Sequence, residues 1–167
     1  MAVFTNPYDI PAYFEQALFL YTKYLRCLED DYAFNGLSVY DYFSNLIERT
    51  SPLFFVITEG KIVSGFVYLD NIIGDRERMQ SAELITCFDK RFWGNYTKVC
   101  ARFFLDYCFK TYGFQKIKAL VYPDNFRVKT LLKESGFVKE ALLRDETLRK
   151  GKLQDIEVYS VFRKVNS

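Results

Sequence analysis

Between an apolar run ending at Phe88 and a long amphipathic stretch lies Asp89-Lys90-Arg91-Phe92-Trp93-Gly94-Asn95. A basic turn that opens a helix has the parts of an anion site. The first turn of a helix presents unpaired N–H groups and a positive dipole end, which suit a phosphate or pyrophosphate. Lys90 and Arg91 add charge, and Gly94 has no Cβ to keep a ligand from the backbone. Taken alone, such a segment is more often only a turn. The chain has no histidine. That excludes Ser-His-Asp and Cys-His catalysis and every His-ligated metal site. A general base must be a carboxylate, Cys, Tyr, Lys or a backbone-held water.

Two further groups of reactive side chains are Glu29-Asp30-Asp31 and the cysteines Cys27, Cys87, Cys100 and Cys108. The acidic triplet reads as a solvated helix end or as a partner for a cationic substrate. The cysteines contain no C-x-x-C pair, and Cys100 and Cys108 share a helical face. Three of the four read as small buried hydrophobes in a reducing compartment, and no metal is expected. With 167 residues, 50% of them hydrophobic, the chain fits one domain, 1–167. The 23 Lys+Arg against 21 Asp+Glu give no argument for a membrane or nucleic-acid partner, and neither is expected. The 17 Phe and 13 Tyr are expected to fill a core rather than stack on bases. No apolar run reaches the roughly 18 residues of a membrane span. The first residues lack a basic and then apolar leader, so a cytoplasmic location is expected.

The elements that must position these groups follow from periodicity. Apolar residues at Phe14, Leu18, Tyr21, Leu25 and Leu28 predict a helix from Ile10 to Leu28. Ser38 caps a second helix with Tyr42, Phe43, Leu46 and Ile47 on its face. Leu53–Ile57 and Ile62–Leu69 flank a Gly60 turn as a hairpin, and Ala82–Phe88 continues the meander. A helix is predicted from about Asn95 to Tyr112, with Tyr96, Val99, Cys100, Phe103, Phe104, Tyr107 and Cys108 as its apolar stripe. Lys116–Tyr122 is a strand. Pro123-Asp124-Asn125 opens a helix with Val128, Leu131 and Leu132 inward, ending at Gly136. Phe137–Leu143 and Ile156–Phe162 are two strands around a charged turn, Arg144 to Lys152. The helix between Ala82–Phe88 and Lys116–Tyr122 makes those strands parallel. The class is mixed α/β.

Several motifs, in order, resemble the GNAT superfamily of acetyl-CoA-dependent N-acetyltransferases, especially its ribosomal-protein alanine/serine N-terminal and spermidine acetyltransferase branch. Val63-Ser64-Gly65-Phe66-Val67 resembles the family's central strand. Ala82-Glu83-Leu84 resembles the start of its fourth strand, and Phe92-Trp93-Gly94-Asn95-Tyr96-Thr97 its pyrophosphate loop. Phe109–Ile117 resembles the end of the helix that follows. Pro123-Asp124-Asn125 with Leu131–Phe137, and Gly151–Tyr159, resemble the two closing motifs. The chain departs from the pattern by one missing loop glycine, where Asn95-Tyr96 stands, by Val128 in place of serine, and by Leu132 where some members carry a tyrosine.

The resemblance implies a GNAT fold: a central, mostly antiparallel sheet with one parallel, splayed strand pair, flanked by helices. Residues 1–50 would be the substrate-facing region and 53–164 the acetyl-CoA-binding core. It implies direct acetyl transfer from acetyl-CoA, as co-substrate, to a primary amine of a small molecule, peptide or protein N-terminus. Backbone N–H groups of Cys87 and Phe88 would hold the pantetheine and thioester. Arg91, Trp93, Gly94, Asn95, Tyr96 and Thr97 would hold the pyrophosphate, and Asn125 would hydrogen-bond the cofactor. Glu83 is the candidate base, beside the plain reading of a strand residue paired to a lysine. Cys87 and Tyr122 are candidate proton donors to the leaving thiolate, beside the plain reading of core residues. The departures leave open a GNAT-fold module that binds a partner without transfer. The last strand, at a sheet edge, leaves a homodimer open.

Overall fold

The computed structural model describes residues 1–165, so the last two residues of the expected domain lie outside the described residues. Its elements are β1 (Ala2–Thr5), α1 (Pro11–Lys23), α2 (Leu25–Leu28), α3 (Val39–Thr50), β2 (Phe54–Glu59), β3 (Ile62–Gly74), β4 (Met79–Phe88), α4 (Asn95–Tyr107), β5 (Lys116–Val121), α5 (Phe126–Glu134), β6 (Val138–Arg149) and β7 (Lys152–Phe162). The strands hydrogen-bond in the order β1-β2-β3-β4-β5-β7-β6, a seven-stranded mixed sheet in which the last strand, β7, is not at the edge as expected: β6 folds back outside it and ends the sheet. The β4–β5 pair is parallel, as the intervening helix requires. Contacts group the chain into two compact units. One holds Met1–Tyr68, Thr86–Trp93 and Thr147–Gln154. The other holds Leu69–Ile85, Gly94–Glu146 and the chain from Asp155. Among the described residues no helix is long and apolar enough to cross a membrane.

The core of the first unit is aromatic. Tyr21 stacks on Phe43 at 4.6 Å, and Phe54 stacks on Tyr68 at 5.2 Å and on Phe66 at 5.6 Å. Offset-stacked rings bury large areas with few rotamers, which is why this unit spends so many Phe and Tyr. The expected helix from Ile10 to Leu28 breaks at Tyr24 (φ −106°, ψ 16°) into α1 and α2. There the Tyr24 hydroxyl accepts the Lys90 N–H at 2.9 Å, and its ring lies 6.2 Å from that of Trp93. A tertiary contact overrides local periodicity at that point. β1 was not expected, because four residues are too few to show a period; it pairs antiparallel with β2. Ser38 caps α3, accepting the Asp41 N–H at 3.0 Å.

In the second unit, Cys100, Phe104, Cys108, Phe114 and Ile117 are buried. The inward face of α4 is Thr97, Cys100, Phe104, Leu105 and, one residue past its end, Cys108. Val99 and Phe103, expected in the stripe, are more than half exposed, because the buried arc centres on Cys100 and Phe104. A π-helical turn, Cys108–Tyr112, follows, and Gly113 closes it at φ 73°. On α5 only Leu132 of the three expected inward residues is fully buried. β6 and β7 run much closer together along the chain than expected. The charged turn shrinks to Lys150 and Gly151, with φ of 54° and 71°. Two consecutive left-handed residues are what a two-residue hairpin turn demands.

Candidate active site

In the first unit, β3 carries a bulge against β2. Ile57 pairs with Gly65 but Thr58 with Val63, which leaves Ser64 as the extra residue. Fully buried Ser64 donates its hydroxyl to the Ile57 carbonyl, and its own carbonyl accepts the Asp89 N–H at 2.8 Å. Beside it, a Cβ built on Gly65 would stand 2.4 Å from the Cys87 carbonyl oxygen. The glycine of the central-strand motif therefore lets β3 approach the end of β4. Phe88 and Cys87 are buried there, and the Trp93 indole N–H donates to the Phe88 carbonyl at 3.0 Å. Burial, reinforced by Cys27 and Asp89 and opposed by Lys23, pushes the Cys87 thiol well above the ordinary cysteine range. Its proton is held tightly.

Asp89, 2% exposed, is the group that sequence reasoning missed. Its carboxylate caps the 3₁₀ turn Lys90–Phe92 by accepting the Arg91 N–H at 3.0 Å, and it accepts the Arg91 guanidinium at 3.1 Å. Lys23 lies 3.9 Å away. Burial by itself would raise this carboxyl, but the Arg91 hydrogen bonds and the two positive charges outweigh it and hold it below the usual range. Arg91, assigned to a pyrophosphate by resemblance, thus already has an anionic partner. The two also line a surface pocket of about 220 Å³ with Glu15, Gln16 and Phe19. The signal was present in the sequence: an Asp directly before a basic turn is a cap pattern.

The acidic triplet is not a free patch. Glu29 accepts the Tyr21 hydroxyl at 2.8 Å. Burial pushes its carboxyl up, with Asp30 adding to the rise, against hydrogen bonds from Tyr21 and Tyr42 and the charge of Arg49. Asp30 accepts the Thr147 hydroxyl at 2.6 Å. Asp31 accepts the N–H groups of Lys150 and Gly151 at 2.9 and 2.7 Å, and its own N–H donates to the Leu148 carbonyl. Those backbone donors hold the Asp31 carboxyl below its usual value. Asp30 and Asp31 clamp the β6–β7 turn, a role invisible to spacing across more than a hundred residues.

In the second unit, the register of β4 with β5 runs Ser81↔Lys116, Ala82↔Ile117 and Glu83↔Lys118. Glu83 has both oxygens engaged. One accepts the Asn71 amide at 2.9 Å and the other lies 3.8 Å from the Lys118 ammonium. The lysine pairing expected as the plain reading is present. Gly94 starts α4 with φ 114° and ψ −135°, a conformation open in practice only to glycine, and nothing lies within 4 Å of a Cβ built there. With no side chain, Gly94 caps none of the first-turn N–H groups of Asn95, Tyr96 and Thr97. The Thr97 hydroxyl turns inward to the Gly94 carbonyl at 2.8 Å.

Tyr122 is buried, and its carbonyl accepts the Asn125 N–H at 3.0 Å. Asn125 caps α5 through the Val128 N–H at 3.4 Å. Unforeseen is a buried carboxylate nearby, Glu157, which accepts Lys129, Lys139 and the Tyr159 hydroxyl. Burial opposes its charge, but these donors win and hold it below the usual range. Each unit thus holds part of the expected set: Cys87, Phe88, Arg91 and Trp93 in one, and Glu83, Gly94, Asn95, Tyr96, Thr97, Tyr122 and Asn125 in the other. Among the described residues no cluster of three or more Cys, Asp or Glu side chains is placed to hold a metal.

The model of the acetyltransferase (GNAT) domain family matches residues 6–138. The uncharacterized N-acetyltransferase p20 of Bacillus licheniformis is 31% identical over 84 residues, 50% of this chain and 47% of that protein. This match thus spans about half the length of the curated relative. Among solved structures, a GNAT-family acetyltransferase from Bacillus anthracis superposes with a TM-score of 0.75 at 14% identity, covering 96% of this chain and 94% of that one. The spermidine N-acetyltransferase of Vibrio cholerae, in complex with CoA and spermine, gives 0.73 at 22% identity over 97% and 94%. The ribosomal-protein-S5-alanine acetyltransferase of Vibrio fischeri gives 0.73 at 18% over 96% and 91%. At such identities these likenesses speak for the fold. The family match, which runs from ahead of α1 to the first residue of β6, speaks for more: the chain belongs to the GNAT acetyltransferase family.

Proposed function

We propose that the chain transfers the acetyl group of acetyl-CoA directly to a primary amine of a small molecule, a peptide or a protein N-terminus. The family match carries this reading, supported by a helix that opens on a glycine-only backbone directly after the basic turn. The residues present fit the co-substrate. The first-turn N–H groups from Gly94 to Thr97 are donors suited to a pyrophosphate, and Arg91 and Trp93 directly precede them in the chain. Backbone N–H groups of Cys87 and Phe88 are assigned to the thioester arm, where a donor aimed at the carbonyl oxygen stabilises developing negative charge. Asn125 is assigned to the cofactor through its amide.

An amine attacks only after losing a proton. Glu83 is the proposed acceptor of that proton, directly or through one water, with Asn71 orienting its carboxylate. Between the two proposed donors to the leaving sulfur, Tyr122 is preferred. Cys87 holds its proton far more tightly than an ordinary thiol. The acceptor classes follow the relatives: one holds spermine, and another acts on a ribosomal-protein alanine. A second copy of the chain would pair at β6, which ends the sheet and is largely exposed; sedimentation tests it. The function itself is tested by thiol release from acetyl-CoA across polyamines and peptides with N-terminal Ala or Ser. Amine-dependent release supports it. Bound acetyl-CoA with no release for any amine would leave the partner-binding module as the reading.

A further inference from the structure

We infer that Lys129, anchored by Glu157, is a positioning residue that fixes the turn Tyr122-Pro123-Asp124-Asn125 and through it the binding of acetyl-CoA. This rests on the reading above, in which Asn125 meets the cofactor. The Lys129 ammonium donates to the Pro123 carbonyl at 3.0 Å and lies 3.2 and 3.4 Å from the two oxygens of Glu157. Its side chain is 15% exposed and that of Glu157 10%. Burying such a pair is weak evidence for stability, since desolvation offsets most of the attraction. A buried ammonium that spends one hydrogen bond on a turn carbonyl does fix geometry, however.

The turn depends on that bond more than on its own. Pro123 has no N–H, so its carbonyl is its only polar backbone group. Around it, the Asn125 N–H donates to Tyr122 and the Phe126 N–H to Asp124, and the Lys129 N–H starts α5 by donating to the Asn125 carbonyl. Lys129 therefore grips the turn twice, by backbone at Asn125 and by side chain at Pro123. Glu157 sits opposite Val121, the residue before Tyr122, so β7 supplies a fixed anchor level with the end of β5. Lys139 donates to the same carboxylate at 3.1 Å but, among the described residues, to no carbonyl of the turn, which makes it the internal control.

The test compares Lys129→Met with Lys139→Met in the full chain, by calorimetric titration of acetyl-CoA well below either melting temperature. Both variants lose a lysine from Glu157. Lys129→Met is expected to weaken acetyl-CoA binding at least fivefold, and Lys139→Met less than twofold, with the amine KM within twofold of wild type in both. Equal weakening in the two variants, or none in either, would show an ion pair that only holds the fold and would overturn the inference. Wild-type protein is titrated first. If it fails to bind acetyl-CoA, the functional reading falls and this inference with it, whereas a binding wild type and indifferent variants sink the inference alone.

Discussion

The carbonyl oxygen of Cys87 lies 2.4 Å from where a side chain on Gly65 would begin. No Cβ tolerates that distance to a backbone atom, and the Phe88 ring, 2.8 Å from the same point, blocks the other way out. Gly65→Ala must push β3 from the end of β4. Overpacking of this kind costs about 1–3 kcal/mol. A chemical-denaturation midpoint should fall accordingly, and acetyl-CoA affinity should fall with it, because Cys87 and Phe88 are displaced. An unchanged midpoint would mean the strands part more easily than this contact implies.

Gly94 behaves differently. Nothing crowds its missing side chain, but its φ of 114° excludes other residues whatever the space. Gly94→Ala should cost about 1–3 kcal/mol of stability through backbone strain. It should weaken acetyl-CoA by at least tenfold, through a reshaped first turn of α4. Titration of the folded fraction separates the two effects. Wild-type affinity in Gly94→Ala would remove the pyrophosphate from this turn.

Two carboxylates, buried Asp89 and half-buried Glu29, should move stability in opposite directions with pH. Asp89 is held below the usual range, so its contribution is present above the ordinary carboxylate pKa of about 4 and is lost as pH falls through its lower folded value. Asp89→Asn should destabilise at pH 6 by an amount that shrinks below pH 4. Glu29 is held above the usual range, so its protonated form is the favoured one and its contribution fades as pH rises through the raised value. Glu29→Gln, which keeps an acceptor for Tyr21, should equal or exceed wild-type stability at pH 7 and lose that advantage toward pH 4. Denaturation curves across pH 3.5 to 7 read both signs. The same sign for both would contradict the assignments.

The clamp between Asp31 and the β6–β7 turn should be visible by hydrogen exchange. The carboxylate protects the N–H groups of Lys150 and Gly151. Asp31→Ala should accelerate exchange at those two amides, with little change at the β2–β3 turn. Unchanged protection would mean the turn is held by its own hairpin alone.

Much of this molecule was legible because period and punctuation act locally. The Ser38 cap, the Gly60 turn and the parallel relation of β4 and β5 follow from cap chemistry, turn chemistry and a crossover helix. What was illegible is set by tertiary partners. Tyr24 breaks its helix to meet Lys90 and Trp93, and the Glu29-Asp30-Asp31 triplet is engaged by a phenol and by a turn more than a hundred residues away. Val99 and Phe103 look like core by spacing, and only the direction of α4 shows that they are not. At the candidate site, the motif residues were named by resemblance, but Asp89 and the Lys129–Glu157 pair were not. Their role comes from burial, which no short motif encodes.

The most direct test of the central claim is to follow isotopically labelled acetyl from acetyl-CoA in the presence of spermine and of a peptide with an N-terminal alanine. Acetyl transfer by this chain predicts labelled amide on the nitrogen of at least one primary amine, formed in step with free CoA. Blocking that nitrogen by methylation should abolish the product. Consumption of acetyl-CoA at the same rate with and without amine, and no labelled amide, would contradict the account.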